Sequence, residues 1–310
     1  MPEKIRTGRR SALLSVGYAV AGYLLALGVL VYTVGFLARW GVPKNIDSAA
    51  GTPWPAAVAI DTALLLLFAV QHTVMARGAV KRRSARLFGA HAERATFVVA
   101  SGAVLVTLLA AWQPLPAVLW RLTGPAAVAV YAVFAAGWLV ALGATFLVSH
   151  TDMFGLRQAW RHARGREYEP PGFTRRGMYA RVRHPLMTGF LMVFWAAPTM
   201  TAGHLLFAAA ATGYIGVGIA FEERDLIAGL GDTYRTYRAE VPAVIPGLWT
   251  RRARNEVRRA EGFARQGACE VGHRRNQKAR RRVRHTRRAK RGTSRSLPNR
   301  RGRRRPAFRS

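Results

Sequence analysis

The sequence predicts an all-α membrane protein: a polytopic helix bundle of four spans plus a C-terminal helical hairpin, with a disordered basic tail. That makes five to six membrane segments. Three observations carry this reading. Four apolar runs are each long enough to cross a bilayer, whose hydrocarbon core of about 30 Å needs about 20 helical residues. A fifth run, Leu186 to Phe221, holds 36 residues without a formal charge. At about 1.5 Å per residue a straight helix of that length overshoots the core, so the chain must fold back. Charge is also lopsided, because residues 251–310 hold 24 of the 48 Lys/Arg but only 3 of the 15 Asp/Glu. Two regions follow: a membrane domain over 1–250 and an Arg-rich tail over 251–310.

The first span, Ser11–Leu37, is too long for a signal-peptide core and no small-residue cleavage site follows it, so it reads as a signal anchor. The second covers Ala56–Val70, extends through Gln71-His72 and carries Asp61, a carboxylate that is costly inside a bilayer unless paired or functional. The third runs Ala95–Leu119 with Pro114 and Pro116 near its end, and the fourth Ala126–Ser149. The hairpin arms are Leu186–Ala197, short enough to be re-entrant, and His204–Phe221, with His204 as its cap. The chain reverses between Pro198 and Gly203. Leu226–Glu240 is expected to be an amphipathic interfacial helix on which Tyr234 and Tyr237 share a face. Pro242 and Pro246 end it, and Trp249 is an interfacial anchor.

Loop charges orient the bundle. Lys4 to Arg10, Arg77 to Arg94 and Arg157 to Arg183 are strongly basic, whereas the basic residues of the other connections are only Arg39, Lys44 and Arg121. The positive-inside rule places the basic set, and both termini, in the cytoplasm. The tail lacks apolar periodicity and is expected to be a solvated extension without function or a specific nucleic-acid partner. Its abrupt change of character after Trp249 also fits a reading-frame slip in a GC-rich gene. The only cysteine, Cys269, lies there, so the membrane domain has no disulfide, thiolate–zinc site or cysteine nucleophile. No metal-ligand spacing and no Gly-rich phosphate loop occurs, and no metal is expected.

The chemistry concentrates at the two ends of the hairpin. Pro185 suits the first helical position and pushes His184 into the cap. The helix start, Arg181 and Arg183 then form a positive region suited to a carboxylate or thiolate. A helix cap with headgroup-binding arginines explains the same residues. Glu222-Glu223-Arg224-Asp225 is expected to close the second arm, where acids oppose the helix dipole and need Arg181, Arg183 or a bound cation. A ligand bearing an ammonium group and hydroxyls suits them; an interfacial salt-bridge network is the alternative. Gln71-His72 and His150-Thr151-Asp152, with Arg157-Gln158, leave their spans at the same face.

Arg183-His184-Pro185, the apolar hairpin, Glu222-Glu223, Tyr234, Tyr237 and Pro242 resemble the isoprenylcysteine carboxyl methyltransferase-like membrane methyltransferases. Over residues 10–248 the stretches Gln71 to Arg77, Glu93 to Thr96, Asp152 to Gln158 and Glu222 to Leu226 are similar to the nurim family and its bacterial thiol methyltransferases. The resemblance implies S-adenosylmethionine as donor, methanethiol or another small thiol as acceptor, dimethyl sulfide as product, and a bacterial inner membrane as location. It implies donor binding by Arg183, His184, Glu222, Glu223, Arg224, Tyr234 and Tyr237, with His184 and Arg183 catalytic. His72, His150 and Asp152, at the span ends on the same face, are the candidates for the acceptor's side. The alternatives are a methyltransferase for an isoprenylcysteine carboxylate or a lipid amine, and a non-catalytic membrane protein of the nurim or NnrU type. Met187 departs from the aromatic residue that the wider superfamily often has two positions after His-Pro.

Overall fold

The computed structural model describes residues 9–48 and 51–247. Trp249 and the basic tail lie outside the described residues, as do Lys4 and Arg6. The helices are α1 (Arg9–Ala38), α2 (Trp54–Ala76), α3 (Gly78–Phe88), α4 (Glu93–Ala111), α5 (Gly124–Val148), α6 (His150–Met153), α7 (Leu156–Ala163), α8 (Pro185–Trp195), α9 (Ala202–Leu230) and α10 (Asp232–Glu240). Two short strands, β1 (Val118–Arg121) and β2 (Thr199–Thr201), pair antiparallel. Five helices, α1, α2, α4, α5 and α9, are long and apolar enough to cross a membrane. With 11 residues α8 is about 16 Å long, shorter than a hydrocarbon core of about 30 Å.

Contacts order the helices so that one end of the bundle collects the start of α1, the end of α2 and the starts of α4 and α8. The ends of α5 and α9 lie there too. Tyr18 on α1 hydrogen-bonds Thr96 on α4, and the His72 ring on α2 meets the Phe97 ring on α4 at 4.7 Å. Phe68 and His72 pack on Tyr214 of α9. Where α5 crosses α8 the backbones touch: a Cβ on Gly189 would sit 2.6 Å from the Gly137 carbonyl oxygen and from the Ala141 nitrogen. Small residues at such crossings let membrane helices approach closely. The core beneath is aromatic, with Trp112 meeting Phe36 and Phe207 edge to face, and Phe207 meeting Phe194.

Three expectations are corrected. The third span ends at Ala111, because Pro114 and Pro116 cannot continue a helix; the residues beyond them form β1, which pairs with β2 at the reversal of the hairpin. The second arm does not stop at Phe221. It continues to Leu230, so Glu222 to Asp225 lie inside α9, and the break comes at Gly231, whose φ is 57°. The amphipathic segment 226–240 is therefore split between α9 and α10. His204 is also not the cap: Thr201 accepts the His204 N–H at 3.2 Å, and His204 Nε2 meets the Phe194 carbonyl at 2.9 Å. Asp61 accepts the Gln113 N–H on Oδ1 at 2.8 Å, and its Oδ2 is buried without a partner among the described residues.

Candidate active site

His184 occupies the N-cap of α8 with Pro185 in the first turn, as the residue pair dictates. Its backbone is held from outside the helix. The Arg183 N–H donates to the Pro242 carbonyl at 2.9 Å, and the His184 N–H to that of Ala243 at 3.0 Å. The Thr188 hydroxyl donates to Val244 at 2.7 Å. The segment after α10 is thus a strap along the start of α8.

The side chains of the two hairpin ends meet. Arg183 Nε and Nη2 reach Glu223 Oε1 at 2.8 and 2.6 Å, and Arg238 Nε reaches Glu223 Oε2 at 3.0 Å. Arg183 Nη1 also donates to the Arg238 carbonyl at 2.9 Å and to that of Val241. His184 bridges both acids: Nε2 lies 3.3 Å from Glu223 Oε1, and Nδ1 lies 3.4 Å from Glu222 Oε2. Glu223 is buried, whereas the Glu222 side chain is 52% exposed. Burial of His184 disfavours its charge, but hydrogen bonds and attraction from Glu222 and Glu223 outweigh that and raise its pKa above 6.5. An imidazolium donates from both nitrogens, which this geometry requires. Three cations therefore stand against two carboxylates, which lets α9 run through a run of acids.

Tyr234 and Tyr237 are buried at 1% exposure each, packed with Val241 against Leu226, Ile227 and Leu230. The Tyr237 hydroxyl donates to the Tyr179 carbonyl at 2.6 Å, and the Tyr234 hydroxyl has no partner among the described residues. Burial, followed by the negative charge of Glu223, raises the Tyr234 pKa; burial first, then Glu222 and Tyr237, pushes Tyr179 to about 12. Both phenols stay protonated. Arg224 is not brought into the cluster. It is exposed, and a helix turning about 100° per residue puts it about 200° round from Glu222.

The remaining predicted residues each sit in their own surroundings at this end of the bundle. His72 is walled by Phe68, Phe97 and Tyr214, with Nδ1 3.2 Å from the Ser101 hydroxyl. His150 stacks on Phe146, and its two nitrogens meet Thr145 at 2.7 Å and Tyr23 at 3.2 Å. Burial lowers its pKa. Asp152 is buried and takes Arg157 on Oδ2 at 2.7 Å; burial first, then this nearby carboxylate, raises the Tyr168 pKa. Gly155, with φ 80°, turns the chain tightly against α4, where a Cβ would lie 2.7 Å from the Ala95 nitrogen. An open cavity of about 330 Å³ between α1 and α7 is lined by Thr151 and Arg157, beside Asp152, and another of about 370 Å³ lies beside Trp54 and Leu115. Among the described residues no group of three or more His, Cys, Asp and Glu is placed to hold a metal ion.

Arg238 was not singled out by sequence reasoning, although it lies four positions after Tyr234 and so shares its helix face.

Five spanning helices with a buried guanidinium–imidazole–carboxylate cluster at one end define a multi-pass membrane protein with a polar site. Methanethiol S-methyltransferase of Mycobacterium tuberculosis is 46% identical over 234 residues, covering 75% of this chain and 96% of that protein. The enzyme of that name from Pseudomonas sp. is 44% identical over 247 residues, 78% of this chain and 95% of its own length. Nurim of Mus musculus is 30% identical over 239 residues, 69% of this chain and 90% of that protein. No family model matches the chain, and neither does any solved structure. The chain belongs to the methanethiol S-methyltransferase family within the wider nurim group, and it is a multi-pass membrane methyltransferase.

Proposed function

We propose that this protein methylates methanethiol, or a similarly small thiol, to dimethyl sulfide with S-adenosylmethionine as donor. The site would be the Arg183–His184–Glu222–Glu223 cluster. The observation that carries the reading is the junction of the hairpin ends into a buried cluster with surplus positive charge, in a chain 46% identical to a methanethiol S-methyltransferase.

The residues present suit such a donor. Glu222 keeps an exposed carboxylate edge for an ammonium or a ribose diol, and the buried Tyr234 hydroxyl, close enough to Glu223 to feel its charge, lacks a partner among the described residues. Bound there, the donor supplies a methyl group on a sulfonium centre. Free thiols are mostly protonated near neutral pH, and the excess positive charge of Arg183, His184 and Arg238 favours the thiolate. Thiolate and sulfonium charges cancel as the methyl moves, so a partly dry site helps, and holding the sulfur in line adds proximity. On the acceptor side His72, His150 and Asp152 lie at the same end of the bundle, with Asp152 held by Arg157.

The methyltransferase unit is residues 1–250, and the tail is dispensable; the relatives align with about three quarters of the chain. The basic connections favour a bacterial inner membrane location with both termini, and this site, on the cytoplasmic side.

Headspace gas chromatography of membranes given methanethiol and S-adenosylmethionine tests the reading. Dimethyl sulfide should form with wild type and fall sharply with His184→Ala and Glu223→Gln at matched protein levels. Wild-type rates in both variants would overturn the site.

A further inference from the structure

The donor carries a carboxylate as well as an ammonium, and Arg183, which the sequence favours for an anion, is occupied. Its Nε, Nη1 and Nη2 hold Glu223 and two backbone carbonyls, and Arg238 holds the other Glu223 oxygen. A different cation is needed. Arg77 stands between α2 and α3 in extended conformation, half-buried, its guanidinium 4.0 Å over the Phe221 ring. Among the described residues no carboxylate pairs with it.

Position on α9 links Arg77 to the cluster. Tyr214 and Phe221 are seven apart, share a face and meet α2 through Phe68, His72 and Arg77. At about 100° per residue Glu222 lies next round, between that face and the side where Glu223 meets Arg183. Arg224 is about 200° from Glu222, exposed, and 5.8 Å from the Phe221 ring. A cation set on the Phe221 ring thus stands one residue round α9 from a half-exposed carboxylate. That is the complement of an α-amino acid zwitterion, with a guanidinium fork matched to a carboxylate.

We propose that Arg77 binds the α-carboxylate of the donor while Glu222 takes its ammonium group. The proposal rests on the donor assignment above. Phe221 supports the guanidinium from one side, and Glu222 keeps the exposed edge that Glu223 lacks.

Equilibrium binding of S-adenosylmethionine and of its decarboxylated analogue to the purified full-length protein tests this. Wild type should prefer the carboxylated donor. Arg77→Gln should weaken that donor by about 10- to 100-fold and leave the analogue unchanged. Arg77→Lys should restore part of the difference, and Phe221→Leu, which removes the supporting ring, should reduce it should Arg77→Gln fail to fold. Equal loss of both ligands, no loss of either, or a selective loss in Arg224→Gln but not in Arg77→Gln would overturn the assignment. Wild type binding neither ligand would instead sink the donor reading itself, and Arg77's role with it.

Discussion

The two ends of the bundle each join an arginine to an acid, with opposite outcomes. At the far end Arg39 meets Asp47 at 3.0 Å and the Thr199 carbonyl at 2.9 Å, and the Thr201 hydroxyl donates to the other Asp47 oxygen at 2.6 Å. One cation matches one anion, and the contacts tie the α1–α2 connection to β2. Arg39 even adopts φ 60°, a strained conformation for a non-glycine residue that persists because these contacts over-determine it. At the near end three cations surround two carboxylates, one acid keeps an exposed edge, and a buried phenol has no partner among the described residues. A matched pair is a clasp, whereas surplus charge with open valences is what a ligand site needs.

The largest expected effect is at the near end. Glu223→Ala leaves Arg183 and Arg238 facing each other without their shared counter-charge, and should cost about 3–5 kcal/mol of stability together with methyl transfer. Thermal unfolding and product formation measure the two losses. At the far end Asp47→Ala should cost only about 1–3 kcal/mol, with activity per folded molecule retained. An equal activity loss there would break the contrast between clasp and site.

The smallest effect is a pH dependence confined to the near end. The two acids raise His184 above 6.5, so its contribution to stability is complete below that value and is lost as pH rises through the higher folded-state pKa. The melting-temperature gap between wild type and His184→Gln should therefore narrow on going from about pH 6 to about pH 9. A gap that stays constant would mean that the imidazole pairs in its neutral form. Asp47→Ala should show no such trend.

Much of this was legible in the chain. The His184-Pro185 cap, the reversal near Pro198 and the meeting of Arg183 with Glu223 follow from apolar length and the backbone habits of proline. The end of α9 was not legible, because a run of acids reads as a helix terminus until Arg183, His184 and Arg238 neutralise it. Arg224 and Glu222 look equivalent as neighbours, yet helix rotation separates them. Arg77 looks like a loop charge until Phe221, 144 positions later, is found beneath it.

By itself the sequence determined the first four spans, the hairpin and the polarity of its two ends, because hydropathy, segment length and capping are properties of neighbouring residues. That α8 is too short to count as a further span came from the structure. Only the tertiary structure decided which groups are occupied and which remain open. Glu223 and Glu222 are adjacent and chemically identical, but packing surrounds one with two arginines and leaves the other an exposed edge. That difference depends on α2, α8, α10 and the strap converging on one turn of α9, and such convergence comes from burial and hydrogen bonding between segments far apart in the chain.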